Sequence, residues 1–210
     1  MRKWYPVLLV VIMAAASVIA YPRLPERVPI HWDLHGQTNR WQSRGHAVLF
    51  LPIAAVVLWG VLRALPSIDP RRANYSKFQP TYEFMVGATL TVIALIHLAV
   101  LASGIGMPIA IHRVIPIALG IILVAIGNQL PRARSNWWFG IRNPWTLSND
   151  RVWERTHRVG GYLMMAAGVV MIVGSLLWVR AGPLVIACVA AWAIGSMIYS
   201  YVAWRQETSK

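Results

Sequence analysis

The sequence is short of acid, of cysteine and of charge altogether. Of its 210 residues only seven are Asp or Glu, against twenty Lys and Arg, and charged residues of both signs make up 13%. So few charges cannot cover a folded body of this size in water, which excludes a soluble globule, a coiled coil and a disordered chain. The one cysteine, Cys188, lies in an apolar run; it can neither close an intrachain disulfide nor complete a zinc site alone, so a disulfide scaffold is excluded too. There is no Ser-His-Asp order, no phosphate-cradling glycine loop and no paired carboxyl groups, and neither enzymatic activity nor a cofactor is expected.

What is present is apolar. Hydrophobic residues make up 57% of the chain and the mean hydropathy is +0.53. Windows free of Lys, Arg, Asp and Glu cover residues 4–21, 47–62, 84–102, 114–127, 161–179 and 183–203. Such lengths approach the roughly 20 residues that cross a bilayer as a helix. The expected fold is therefore all-α: a polytopic integral membrane protein with six transmembrane helices. Three regions are expected: residues 1–65, with the first two helices; 66–113, with the third; and 114–210, with the last three. Arg2 and Lys3 before the first span resemble a signal peptide, but the apolar stretch is long for one and Pro22 would follow the scissile bond. An uncleaved helix is expected.

The net charge of +13 and pI near 11.1 fit headgroup-level loops, and membrane lipids rather than nucleic acid are the expected partner. With the N-terminus inside, fourteen of the twenty basic residues fall on the cytoplasmic side, which predicts both termini in the cytoplasm. Residues 22–46 then face outward and residues 128–160 face inward. These are the two longest connections and the places to look for function.

In the inward segment, Pro131 is expected to end the fourth helix, with Asn128 and Gln129 satisfying its last carbonyls. Trp137, Trp138 and Trp145 suit an interfacial position. Thr146 or Ser148 is a candidate N-cap for a short amphipathic helix over residues 149–158, with Asp150 in its first turn. On that helix Trp153, His157 and Gly161 share a face, Val152, Thr156 and Gly160 lie beside them, and Glu154 and Arg158 are spaced to pair. Its simplest reading is a membrane-surface strut.

The run GNQLP, then GIRNPWTLSND, then VW and THRVGG is more specific than a strut needs. It resembles the signature of the bacterial SdpI family, membrane proteins named for immunity to the sporulation-delaying protein toxin. The matching residues are Gly127, Asn128, Pro131, Asn136, Gly140, Ile141, Arg142, Pro144, Trp145, Thr146, Leu147, Val152, Trp153, Thr156, His157 and Arg158. Asn143 departs from the pattern, where threonine is usual. The resemblance implies a protein that protects its own cell from a secreted membrane-active peptide or protein toxin. In some members it also implies holding a cytoplasmic transcriptional repressor at the membrane. Arg142 would offer a planar donor fork, and Trp145 and Trp153 amphipathic anchors.

The outward segment carries Pro22, Pro25 and Pro29, which favour an extended chain over helix. Leu24, Pro25, Val28, Pro29, His31, Trp32 and Gly36 resemble an N-terminal domain of unknown function that often precedes the SdpI signature; Asp33 and Asn39 depart from it. His31, Asp33, His35 and His46 invite a metal reading, but the prolines and Gly36 argue against the helix that would align them, and ordinary interfacial histidines are expected. His97 lies mid-span, where an ionisable group suggests function by default and a bond to a neighbouring helix is the simpler account. Leu24-Pro25 with Trp32 echoes Leu130-Pro131 with Trp138 at equal spacing. That echo supports an alternative function, a small-solute transporter or channel built from two inverted three-helix halves.

Overall fold

The computed structural model describes residues 4–33, 36–177 and 181–209; Arg2, Lys3, His35, Arg180 and Lys210 lie outside them. The chain is a multi-pass membrane protein. The six long helices are α1 (Tyr5–Ala20), α2 (Arg44–Ile68), α3 (Tyr75–Gly104), α4 (Ile111–Gln129), α6 (Asp150–Leu177) and α7 (Ala181–Thr208). All six are long and apolar enough to cross a bilayer. A five-residue helix, α5 (Pro144–Ser148), lies between the fourth and fifth of these. Residues 150–158 are helical as expected, with Asn149 extended before them, and they run without a break into the fifth span.

To the helices the structure adds a hairpin that the sequence pattern did not reveal. Strands β1 (Arg27–Trp32) and β2 (Thr38–Ser43) pair antiparallel, with Pro29 opposite Trp41 and irregular register on either side of His31. Pro29 has no N–H to give, which a two-stranded sheet tolerates because each strand has a free edge. Leu24 and Val28 are buried against the end of α3, where a Cβ on Gly104 would lie 2.6 Å from Leu24 Cδ2. Strand β2 runs directly into α2 through Ser43, whose hydroxyl accepts from His46 N–H at 3.3 Å.

Helix α2 contains Pro52 and Pro66. Each removes the N–H that would bond the carbonyl four residues back, which strands the oxygens of Val48 and Leu62. In a bilayer such groups must find partners within the protein. Ser17 of α1 donates to Val48 O at 2.9 Å, and the Tyr82 hydroxyl of α3 donates to Leu62 O at 2.5 Å. The prolines thus lock α2 to both neighbours. His97, fully buried, lies with Nε2 at 2.9 Å from Ser17 Oγ. Since Ser17 gives its proton to Val48, His97 Nε2 is the donor to Ser17, and the mid-span histidine ties three helices together. Ser17→Ala is expected to lower stability by about 1–3 kcal/mol, because Val48 O loses its donor and His97 Nε2 is left with the longer contact to Met13 O at 3.3 Å. Thermal unfolding of the detergent-solubilised protein checks this, and an unchanged melting temperature would refute it.

Helices α4 and α6 meet backbone to backbone. A Cβ on Gly120 would lie 2.7 Å from Gly168 O, and one on Gly127 would lie 2.7 Å from Gly161 O. Both pairs repeat at seven residues, two turns of helix, so one glycine seam runs along the crossing. Helix α6 lies between α4 and α7, whereas in the first three-helix set α3 packs on both α1 and α2. The two halves are therefore packed differently, and the echo between Leu24-Pro25 and Leu130-Pro131 is not matched by a repeated arrangement.

Candidate functional site

At the end of the bundle opposite the hairpin, the segment between α4 and α6 folds against the turn joining α2 to α3. Helix α4 tightens into a 3-10 turn at Leu130–Arg132, where Pro131 lacks the N–H to continue. Arg132, rather than the amides of Asn128 and Gln129, reaches back: its guanidinium donates to Gln129 Oε1 at 2.6 Å and to Asn128 O at 3.5 Å. Pro131 itself packs on α6, where a Cβ on Gly161 would lie 3.1 Å from Pro131 Cδ.

Asn136 is fully buried and organises the turn that follows. Its Nδ2 donates to Arg134 O at 2.8 Å and Phe139 O at 3.1 Å; its Oδ1 accepts from Trp138 N–H at 3.0 Å and Phe139 N–H at 2.6 Å. One amide side chain therefore closes a loop that has no regular ladder. Asp69, 2% exposed, does the same from the α2–α3 side. Its oxygens accept from Arg71 N–H at 2.7 Å, the Tyr75 hydroxyl at 2.9 Å and Trp137 N–H at 2.9 Å. Arg71 then bonds Ser135 Oγ and donates to Leu147 O at 2.7 Å, while Asn74 donates to Ser135 O at 2.8 Å.

The second anchor is His157. Its Nδ1 lies 2.8 Å from Trp153 O, and its Nε2 accepts from Ile141 N–H at 2.9 Å. The backbone fixes the tautomer with the proton on Nδ1. Gly140, at φ +100°, passes directly over the ring; a Cβ there would overlap Nε2. Trp153 stacks on His157 at 4.0 Å and donates from Nε1 to Ala133 O at 2.8 Å. Asn143 caps α5 by accepting from Thr146 N–H at 2.9 Å, while Thr146 Oγ1 accepts from Asn143 N–H and donates to Ile141 O at 2.9 Å. The helix caps are therefore Asn143 and Asn149, not Thr146 or Ser148, because a short amide at these positions reaches the N–H groups of the first turn.

Several expected roles move. Trp153 is fully buried, so it is an internal strut and not an interfacial anchor; Trp137 and Trp138 are the exposed indoles. Trp145 is half-buried against Tyr201 of α7. Glu154 pairs with Arg134 and not with Arg158, because the folded loop brings a closer cation. Arg158 is exposed, and Thr156 is buried on the α6 face that also carries Gly160. Pro144 opens α5, and the exposed Arg142 donates to Trp137 O at 2.8 Å, bracing the loop. With both ring nitrogens of His157 taken by backbone and Glu154 at the surface, the two are not arranged for acid–base chemistry.

At the hairpin end, His31 Nδ1 meets Asn39 Oδ1 at 2.6 Å, and His46 stacks on Phe50. Trp32 is half-buried, and Gly36 rests on His112 of α4. Among the described residues no three metal-ligating side chains converge; His35 is outside them.

Residues 132–200 match the SdpI/YfhL protein family, and residues 8–56 match a domain of unknown function, DUF1648. The C-terminal third of the chain is therefore similar to the SdpI/YfhL family. The immunity protein SdpI of Bacillus subtilis (strain 168) is 22% identical over 167 residues, covering 80% of this chain and 78% of that protein. No solved structure matches.

Three supports of this loop, Asp69, Arg71 and Tyr75, lie outside the matched region, at the α2–α3 turn and the start of α3. Sequence reasoning missed them; the available signal was an acid placed directly after an apolar span, one of only seven in the chain. The departure at Asn143 also finds its use. Beyond the cap, its Nδ2 donates to Ser200 Oγ of α7 at 2.7 Å. A threonine hydroxyl can cap the helix but has no second arm for Ser200.

Proposed function

We propose that this chain is an SdpI-like immunity protein that protects its own cell from a secreted, membrane-active peptide or protein toxin. The observation that carries the reading is the likeness to the immunity protein SdpI across four-fifths of the chain, signature loop included. In this reading both termini and the loop of residues 130–149 face the cytoplasm, and the hairpin faces outward. Arginine and lysine counts in the short loops support that sidedness. The toxin meets the hairpin and the outer helix ends. The opposite face presents Arg142, Trp137 and Trp138, exposed on a loop made rigid by Asn136, Gly140, Trp153 and His157, and Arg158, exposed on α6. This face is the docking surface for a cytoplasmic repressor where the protein signals as well as protects. No step of this reading needs catalysis.

One set of cells tests both halves. In a Cys188→Ser background carrying Ser148→Cys, an exposed position at the end of α5, protection against the toxin is expected to persist. A membrane-impermeant thiol reagent is expected to label Cys only after the cells are opened. Arg142→Ala at equal expression is expected to leave protection in place and to release the repressor from the membrane where one is held, since its side chain is exposed on the inner face. Labelling of intact cells would reverse the sidedness, and toxin sensitivity equal to that of cells without the protein would remove the immunity reading.

A further inference from the structure

A cavity of about 360 Å³ opens among α1, α2 and α3 at the end of the bundle that carries the signature loop, touching the hydrogen-bonded site described above only at Tyr75. That volume lies within the roughly 300–1,000 Å³ of small-molecule sites. Its walls include Tyr5, Trp59, Arg63, Gln79, Tyr82 and Glu83. Two of these carry opposite charge and do not meet. Among the described residues Arg63 makes no ion pair or hydrogen bond, and Glu83 accepts only from Gln79, at 2.9 Å. A cation and an anion facing one cavity without neutralising each other suit a ligand that carries both signs a few ångströms apart.

The surroundings specify the rest of that ligand. Trp59 and Arg63 also line a second, apolar groove between α1 and α2, completed by Trp4, Val7, Val56 and Gly60. Trp4 and Val56 are exposed, so the groove runs on the outside of the bundle where acyl chains lie. Tyr5 begins α1 and Arg63 lies in the last turns of α2, which sets the polar cavity at headgroup depth.

We infer that the cavity and groove together bind one membrane phospholipid with a primary ammonium headgroup, of the phosphatidylethanolamine type. Arg63 takes the phosphate with its fork of donors, Glu83 accepts from the ammonium, and the apolar groove holds an acyl chain. A primary ammonium has three protons for Glu83 and Gln79; a choline headgroup has none, and a glycerol headgroup has no positive charge. The inference stands apart from the immunity reading, since it rests on neither the signature loop nor the hairpin.

Native mass spectrometry of the purified full chain tests it, with phosphatidylethanolamine, phosphatidylglycerol and phosphatidylcholine of identical acyl chains added in turn. Phosphatidylethanolamine is expected to be retained about tenfold better than either of the others. Glu83→Gln is expected to erase its advantage over phosphatidylglycerol, and Arg63→Gln, at an exposed position, to weaken retention of all three. Glycerophosphoethanolamine, which has the headgroup without acyl chains, is expected not to displace the lipid at equal concentration. Equal retention of the three lipids, or a preference that survives Glu83→Gln in folded protein, would overturn the assignment. Displacement by the chainless headgroup would overturn the part played by the groove.

Discussion

Gly140→Ala is expected to destabilise the signature loop by about 3 kcal/mol or more, through two costs that fall on one atom. The first is conformational: at φ +100° an L side chain crowds its own backbone, a penalty of about 1–2 kcal/mol that glycine escapes. The second is steric, because the new Cβ would occupy the place of His157 Nε2. If the ring retreats, Ile141 N–H loses its acceptor, and a buried unpaired donor costs about 1–3 kcal/mol. If the loop retreats instead, the bond from Thr146 to Ile141 O and the Asn143 cap go with it. Limited proteolysis between α4 and α6, read beside the melting temperature in detergent, measures the loss. A double-mutant cycle with His157→Ala separates the two costs: removing the ring makes room for the Cβ, so the double variant should be more stable than the sum of the single effects. Strict additivity would mean that the glycine is needed for its backbone angle alone, and wild-type stability in Gly140→Ala would refute the account.

The six spans were legible because a bilayer imposes a simple demand: about 20 residues without charge, repeated six times. Their ends were less so. Helix α2 runs to 25 residues and carries Arg63 inside it, since a long basic side chain near a helix end reaches the headgroups without ending the helix. The extended backbone around Pro29 was legible, but the hairpin pairing was not. Prolines at 22, 25 and 29 marked that segment as non-helical, but pairing β1 with β2 depends on packing over Leu24 and Val28 at the end of α3, which no local pattern records. Within the candidate site, the residues that recur as a motif stood out, while their jobs did not. Trp153 and Trp137 have the same composition-level signature, yet one is fully buried and the other is 47% exposed. Apolar faces that meet protein and those that meet lipid look alike in sequence, so burial of Trp153, Thr156 and His157 needed the fold. Spacing on one helix pairs Glu154 with Arg158, but a partner from another segment, Arg134, is nearer.

Asp69 illustrates the same limit with the larger consequence. It and Trp137 are far apart in sequence, and nothing local signals that an acid after α2 will hold the backbone of a loop after α4. Asp69→Ala is expected to cost about 3–5 kcal/mol, because three donors lose this acceptor together and a buried unpaired donor costs about 1–3 kcal/mol. The Tyr75 hydroxyl is buried and the Trp137 N–H partly so, between the N-terminal helices and the loop. Asp69→Asn should fall between, since its amide keeps one accepting oxygen and turns the other into a donor facing a donor. The loss should also be directional. The α4–α6 seam of Gly120, Gly127, Gly161 and Gly168 does not involve Asp69, so the C-terminal helices should stay packed while the loop separates from the α2–α3 turn. Hydrogen exchange resolves this: faster exchange of the Trp137 and Phe139 amides with unchanged protection along α6 is the expected pattern. Uniform loosening of all six helices would instead make Asp69 a support of the whole bundle, and unchanged exchange at Trp137 would remove it from the site.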